Sequence, residues 1–295
     1  MERPKRHEPD SAMTTAPFQL TRRNVLNNIA TLFSGSAAAQ GMMVITMLLM
    51  ARQLGTDRYG QYASCLTLCV LTSTLFNLGM DNWLLPEGSR RASQLGELVG
   101  STLVIKLAAG VCWLALVVMI PPLIRPLTYP RDLLLATGLA VWFDGLFATM
   151  LTAFKARLRN WATSLLEAGS DLVWLLSVLY LYFSGNERAL TYAQARAAIL
   201  LLTLVISVVL VMRLSSLRSR LTTVRQALRA SPPFAVSEFL ALAAMRVDVV
   251  IVSFTLGSAA AGLYSPAVGI VNGLFLVPTA VYMVMVPVLS NLYAA

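Results

Sequence analysis

The sequence predicts an all-α, polytopic membrane protein. Of its 295 residues, 57% are apolar and only 13% are charged, whereas a soluble domain carries roughly 25% charged residues. The apolar residues gather in runs of about 20, the length at which a helix crosses a hydrocarbon layer about 30 Å thick. A soluble core cannot absorb apolar surface in runs of this length. The formal charge of +9 therefore indicates membrane topology rather than nucleic-acid binding.

Eight apolar runs predict about eight transmembrane helices. The first six would form an N-terminal lobe, 25–212, and the last two would begin a second lobe, 232–295. The predicted spans are 28–51, 61–85, 97–120, 133–154, 162–183, 191–212, 233–256 and 262–290.

The distribution of lysine and arginine predicts the orientation. With eight spans, 15 of these residues fall on the side of the N-terminus and 5 on the other side, and basic residues concentrate on the cytoplasmic side. The tail, 1–24, is polar and basic, and the first span is too long for a cleaved signal. We therefore expect an uncleaved first helix and a cytoplasmic N-terminus.

The connection 213–231 has the pattern of an amphipathic helix. Its apolar residues recur at steps of three and four, and five arginines occupy the other positions. Such a helix is expected to lie along the inner leaflet with its arginines among anionic headgroups; a solvated basic linker is the alternative. The apolar residues are Leu214, Leu217, Leu221, Val224 and Leu228.

The frame L-G-x4-G-x-Y occurs twice at an offset of 202 residues, first at 54–62 and again at 256–264. Each copy lies between two predicted spans. The first glycine can adopt the left-handed conformation that ends a helix, and the second permits close packing. The tyrosine suits the membrane–water interface. The match predicts two lobes built on one plan, unless two ordinary turns coincide.

Five ionisable residues fall near the middle of predicted spans, where a charge costs a few kcal/mol or more. We interpret them as the lining of a polar cavity that binds an anionic headgroup or a coupling ion. The alternative is a buried structural ion pair, for example between Lys106 and Asp144. The five residues are Lys106, Asp144, Asp171, Arg246 and Asp248.

Four further charges are candidates of lower rank. Glu167 shares a helix face with Asp171, whereas Asp81, Arg196 and Glu238 lie nearer to span ends and can extend toward water. No nucleotide-binding loop, zinc motif or ligand-spaced cysteine set is present, and the only histidine lies in the tail. The sequence therefore predicts no catalytic site, no metal and no cofactor.

Three segments carry a resemblance to a known family. ARQLGTDRYGQYA (51–63), NLGMDNWLLPEGSRRA (77–92) and RVDVVIVSFTLGSAAAGLYSPA (246–267) resemble the polysaccharide-biosynthesis, or O-antigen, flippases. These belong to the multidrug/oligosaccharidyl-lipid/polysaccharide exporter superfamily. On this pattern Arg246 and Asp248 match a charged pair of the seventh helix.

The resemblance implies a bacterial inner-membrane protein that works by alternating access. Its substrate would be a lipid-linked oligosaccharide on an undecaprenyl pyrophosphate carrier, as in O-antigen, lipopolysaccharide or exopolysaccharide synthesis. Membrane lipids, a polysaccharide polymerase and glycosyltransferases are the expected partners. The sequence departs from the family in two ways: its embedded charges are more acidic than basic, and it has eight predicted helices where the family has 12 to 14. We therefore expect the chain to be a truncated flippase.

Two alternatives remain open. One is an ion-coupled antiporter for drugs or small cations with the same architecture, which the embedded carboxylates favour. The other is a membrane subunit of a glycan-assembly complex that does not itself transport. The motifs and the arginine-rich connection favour the flippase.

Overall fold

The computed structural model describes residues 22–157 and 160–274, and every regular element in these ranges is helical. The chain divides into two compact units, one comprising 1–37 and 276–295 and the other 38–275; every contact described below lies within the second. Most of the basic tail and the end of the eighth predicted span fall outside the described residues. The helices are α1 (Arg22–Thr72), α2 (Thr74–Asn77), α3 (Met80–Arg90), α4 (Leu95–Met119), α5 (Pro121–Ile124), α6 (Arg131–Ala156), α7 (Asn160–Phe183), α8 (Ala189–Leu214), α9 (Leu221–Ala230), α10 (Pro232–Thr255) and α11 (Ser258–Leu274), with a 3₁₀ turn at Ala92–Gln94.

In the described ranges, four helices are long and apolar enough to cross a membrane, and a pair bent by 46° makes a possible fifth. The structure thus confirms an all-helical, multi-pass protein, but it does not confirm eight spans. The run α1 covers the first predicted span and enters the second, which is completed by α2 and α3, and α10 carries three charges. The candidate spans are Leu95–Ile124, Arg131–Ala156, Trp161–Phe183 and Ala189–Leu214, and the bent pair joins Gln40–Asn77 to Met80–Arg90.

Helix α6 is the centre of the bundle. It is the most buried of the candidate spans and packs chiefly against α8, α4 and α3. The surrounding helices α4, α7 and α8 expose large apolar side chains such as Val111, Leu176 and Leu202. An apolar surface of this extent is typical of a helical bundle that faces lipid.

A backbone break at Gly55 divides α1. Gly55 has φ 73°, and its counterpart Gly257, between α10 and α11, has φ 88°. Side chains other than glycine rarely adopt this conformation. The structure therefore confirms the prediction that the first glycine of each copy of the L-G-x4-G-x-Y frame interrupts a helix. We call each copy of the frame a repeat.

The two repeats pack against each other through their second glycines. A Cβ atom on Gly60 would lie 1.8 Å from the carbonyl oxygen of Ser258, and a Cβ on Gly262 would lie 1.8 Å from the carbonyl oxygen of Thr56. These partners are themselves related by 202 residues, so the contact is reciprocal, as a two-fold axis requires. We call it the glycine contact. It confirms that the second glycine permits close packing.

Further bonds join the repeats beside the glycine contact. Ser258 donates a hydrogen bond to the Asp57 carboxylate. Tyr129, which precedes α6, shares a hydrogen bond with Ser253 near the end of α10 and stacks against Phe254. Burial raises the pKa of Tyr129 to about 12, so its hydroxyl stays protonated at neutral pH.

The connection between the lobes is less helical than the periodicity predicts. Only Leu221–Ala230 forms a helix, and 216–220 is irregular. Gly96 and Gly100 of α4 admit this backbone: a Cβ on Gly96 would lie 2.2 Å from the Ser216 carbonyl oxygen, and one on Gly100 2.3 Å from that of Arg218.

The apolar stripe of the connection also differs from the prediction. Leu214, Leu217 and Val224 pack into a protein core with α4 residues, whereas Leu221 and Leu228 are exposed. Part of the stripe is therefore covered by protein rather than by lipid, because the irregular backbone docks on α4.

Candidate functional site

A second helix break lies between α2 and α3. Leu78 and Gly79 both have positive φ, 51° and 64°, so the chain bends and a new helix begins at Met80. This places Asp81 in the first turn of α3, where the exposed N–H groups favour negative charge. A break inside a transmembrane region is a common location for ion and substrate sites in transporters.

A buried ion pair lies at this break. Lys106 of α4 is fully buried, and its Nζ donates to Asp81 Oδ2 at 2.6 Å and to the Gly145 carbonyl oxygen of α6 at 3.1 Å. Thr149, one turn further along α6, donates to Asp81 Oδ1 at 2.8 Å. The pair therefore ties three helices together, and both oxygens of Asp81 accept a hydrogen bond.

The structure corrects two details of the sequence interpretation. Lys106 forms its ion pair with Asp81 and not with Asp144. Asp81 does not extend toward water, because the bend at Gly79 turns it onto α4 and α6.

Glu238 of α10 lies at the same break. A Cβ on Gly79 would lie 2.3 Å from the backbone nitrogen of Ala235, so the first turn of α10 rests on the bend. Glu238 is three residues further along and on the same face of α10. It is half-buried and within electrostatic range of Asp81 and Lys106. We call this meeting of Gly79, Asp81, Lys106, Ala235 and Glu238 the charged contact.

A separate acidic group lies between α6, α7 and α8. Asp144 is exposed at the middle of α6 and within electrostatic range of Asp171, Glu167 and Arg196. Arg196 lies 3.6 Å from Asp171 and stacks over the Trp174 ring. Asp144 and Asp171 thus lie near one guanidinium, and Glu167 shares the face of α7 that carries Asp171.

Glu167 also has a cation of its own. It lies 3.7 Å from Lys155, and both side chains are about half exposed. This ion pair leaves Asp144 and Asp171 as the members of the acidic group nearest to Arg196.

The remaining two candidates lie on α10. Asp248 accepts a hydrogen bond from the hydroxyl of Tyr264, the tyrosine of the second repeat, at 2.8 Å. Arg246 is half-buried and within electrostatic range of Tyr59. In the described part of the chain, no carboxylate lies within ion-pair distance of Arg246.

The nine candidate residues therefore fall into three groups: Asp81, Lys106 and Glu238 at the charged contact; Asp144, Glu167, Asp171 and Arg196 between α6 and α8; and Arg246 and Asp248 on α10. Sequence reasoning missed Thr149 and Tyr264. Tyr264 is the last residue of the second L-G-x4-G-x-Y frame, which could have indicated it, whereas a threonine on an apolar span gives no signal.

An open hollow lies elsewhere. It has a volume of about 800 Å³ and lies between the part of α1 that follows Gly55, the start of α6 and the α7–α8 connection. Its lining includes Arg58, Asp132 and Glu187, and none of the nine candidates. Arg58 and Glu187 form an exposed ion pair there. Within the described ranges, no cluster of residues has the composition of a metal site.

The helical bundle, its lipid-facing apolar surface and its embedded charges define a multi-pass membrane protein whose chemistry resides in the helices. A profile of the family described as "Polysaccharide biosynthesis protein" matches residues 25–293. The chain belongs to this family, as the resemblance predicts. No curated protein and no solved structure matches the chain.

Proposed function

We propose that the protein is a flippase that carries a lipid-linked oligosaccharide across the bacterial inner membrane by alternating access. Membership of the polysaccharide-biosynthesis family supports this proposal, since its members are generally transporters rather than enzymes. The substrate would be a glycan on an undecaprenyl pyrophosphate carrier. Its diphosphate requires a cation that is not already neutralised.

Arg246 carries the proposal. A half-buried guanidinium is costly without a partner, and no carboxylate of the described residues neutralises it. It lies on α10, the helix whose first turn rests on the bend at the charged contact and whose last turns bond to Tyr129 beside the glycine contact. Guanidinium binds phosphate oxygens in a bidentate manner. Arg246 would therefore bind the diphosphate while the two lobes move relative to each other.

Replacing Arg246 tests the function. Loss of a charge-assisted hydrogen bond costs about 1.5–3 kcal/mol, so Arg246→Gln should lower flipping by about tenfold or more. Arg246→Lys should recover part of it, because the charge remains while the bidentate geometry is lost. The measurement is translocation of lipid-linked oligosaccharide in proteoliposomes, with surface polysaccharide as the cellular readout. Arg131→Gln, at an exposed arginine, is the matched control, and unchanged flipping by Arg246→Gln contradicts the proposal.

We also propose eight spans with a cytoplasmic N-terminus. The charge asymmetry supports it, and so does α10, whose 24 residues span about 36 Å. Thr56→Cys and Ala259→Cys, in a background without native cysteines, should react with an impermeant reagent from outside the cell. Protection of both until lysis contradicts this topology.

An ion-coupled antiporter is the second candidate, and the acidic group favours it. Asp144 and Asp171 lie near the single guanidinium of Arg196, an excess of negative charge that suits a cationic substrate. If proteoliposomes take up a lipophilic cation and Asp144→Asn abolishes that uptake while oligosaccharide flipping is absent, the antiporter is correct.

A further inference from the structure

The charged contact has an unbalanced charge. Lys106 supplies one positive charge, and Asp81 and Glu238 supply two carboxylates. Glu238 itself forms no ion pair with a cation of the described residues. Full ionisation would leave one net negative charge beside a fully buried ammonium, which is costly in a medium of low dielectric constant. One further positive charge is required when the contact forms.

Asp81 is the carboxylate that stays ionised. It accepts hydrogen bonds from Lys106 and Thr149 and lies at the positive end of α3. Glu238 has no hydrogen-bond donor among the described residues. It lies on α10 of the second lobe, whose first turn contacts the break. The additional positive charge is therefore a proton that binds to the Glu238 carboxylate and neutralises it.

We propose that Asp81, Lys106 and Glu238 form a proton-binding site that is completed only when α10 lies on the helix break. Closing the charged contact then transfers one proton from water to a Glu238 carboxylate oxygen, while Asp81 and Lys106 remain an ion pair. Opening the contact returns Glu238 to water and releases the proton. Proton binding here does not depend on which substrate the protein carries.

The other charged groups near Lys106 do not remove the imbalance. Asp144 of α6 is within electrostatic range of Lys106 and adds negative charge. On α4 itself the nearest carboxylate is Glu97, nine residues away, and Glu97 binds Thr223 and Arg220 of the connection. Protonation of Glu238 leaves Asp81 and Lys106 as a neutral pair.

Proton uptake makes closure dependent on pH. The closed contact holds one more proton than the open one, so closure is favoured at low pH and is lost as pH rises. For one proton, the ratio of closed to open molecules falls by up to about tenfold per pH unit. A proton gradient across the membrane would therefore bias the two lobes toward one arrangement.

The experiment measures the distance between α3 and α10 in the full chain without substrate. Nitroxide labels at Arg90→Cys and Val236→Cys, both exposed, report it by pulsed electron paramagnetic resonance in lipid nanodiscs, with the native cysteines replaced. We expect the short-distance population to fall between about pH 5 and about pH 9. Glu238→Gln should hold the contact closed at every pH.

Two further variants make the result specific. Asp81→Asn leaves one ammonium and one carboxylate, so closure should again become independent of pH. Glu187→Gln removes an exposed carboxylate from the connection between α7 and α8 and should leave the pH dependence of the wild-type protein unchanged. Glu238→Gln and Asp81→Asn each remove one carboxylate from near the same cation but on different helices, so a short distance that persists at every pH in both variants excludes general unfolding.

Three outcomes would overturn the proposal. The first is a distance distribution that does not change with pH. The second is pH dependence that persists in Glu238→Gln. The third is closure that follows sodium concentration at constant pH, which would make the site one for Na⁺. None of these outcomes bears on whether Arg246→Gln lowers flipping, so this proposal and the flippase proposal can fail separately.

Discussion

The second lobe meets the first lobe at two places of opposite chemistry. At the glycine contact, backbones of Gly60 and Gly262 approach so closely that no side chain fits between them. At the charged contact, α10 rests on the bend between α2 and α3 in the first lobe, and Asp81, Lys106 and Glu238 gather beside it. The first is held by close backbone packing and hydrogen bonds, whereas the second gathers two carboxylates near one buried ammonium.

The difference suits a protein whose halves must move. Close backbone packing has a single good arrangement and tolerates little displacement, which is appropriate for a pivot or a seal. A charged cluster has several arrangements of similar energy, depending on protonation and on the partner present. The contacts therefore predict different responses to substitution.

The largest effect is expected at Lys106. Lys106→Met leaves Asp81 without its cation, and breaking a buried pair in this manner costs about 3–5 kcal/mol. The measurement is thermal unfolding in detergent. Arg58→Ala breaks an exposed ion pair and should cost less than about 1 kcal/mol.

The double variant Lys106→Met/Asp81→Asn distinguishes a structural pair from a functional one. Removing both charges should recover most of the lost stability, because no uncompensated charge remains. If the double variant also flips substrate normally, the charged contact has no role in transport.

The next effect is expected at the glycine contact. Gly60→Ala places a Cβ against the Ser258 carbonyl oxygen, and overpacking of this kind costs about 1–3 kcal/mol. Gly169→Ala, in open space on α7, should be neutral. Adding Gly262→Ala to Gly60→Ala should cost little more, because the same two helices are already apart. Equal melting temperatures for Gly60→Ala and Gly169→Ala would contradict the geometry.

The glycine contact was the part of the structure most open to prediction from sequence. The 202-residue offset indicates both pairs of glycines, and the structure places Gly60 against Gly262. Repetition in a sequence reports symmetry, and symmetry specifies which surfaces meet. The helices could be predicted from the apolar runs for a different reason, which is that the signal for a helix is local.

The charged contact could not be predicted in the same way. The partner of Lys106 depends on the bend at Leu78 and Gly79, and a leucine with positive φ gives no sequence signal. The connection shows a similar limit. Its periodicity correctly predicts helix at Leu221–Ala230, whereas the docking of its irregular part on Gly96 and Gly100 depends on a helix over 100 residues away.

A smaller effect, independent of pH, is expected at Tyr129. Tyr129→Phe removes the hydrogen bond to Ser253 and should cost about 0.5–1.5 kcal/mol. Because burial raises the pKa of Tyr129 to about 12, the hydroxyl keeps its proton far below that pH. The cost should therefore be the same at about pH 5 and about pH 9. A cost that differs between the two would show that this end of the interface also titrates.

The smallest effect is expected where the connection docks on α4. Glu97 accepts a hydrogen bond from Thr223 and lies 4.0 Å from Arg220, which is largely exposed. Glu97→Gln retains an acceptor for Thr223 and loses only the exposed charge interaction, so it should cost less than about 1 kcal/mol. Gly100→Ala should cost more, because its Cβ would lie 2.3 Å from the Arg218 carbonyl oxygen. Thermal unfolding of the two variants side by side checks the order. If Glu97→Gln is the more damaging, the connection is held by charge, and it resembles the charged contact rather than the glycine contact.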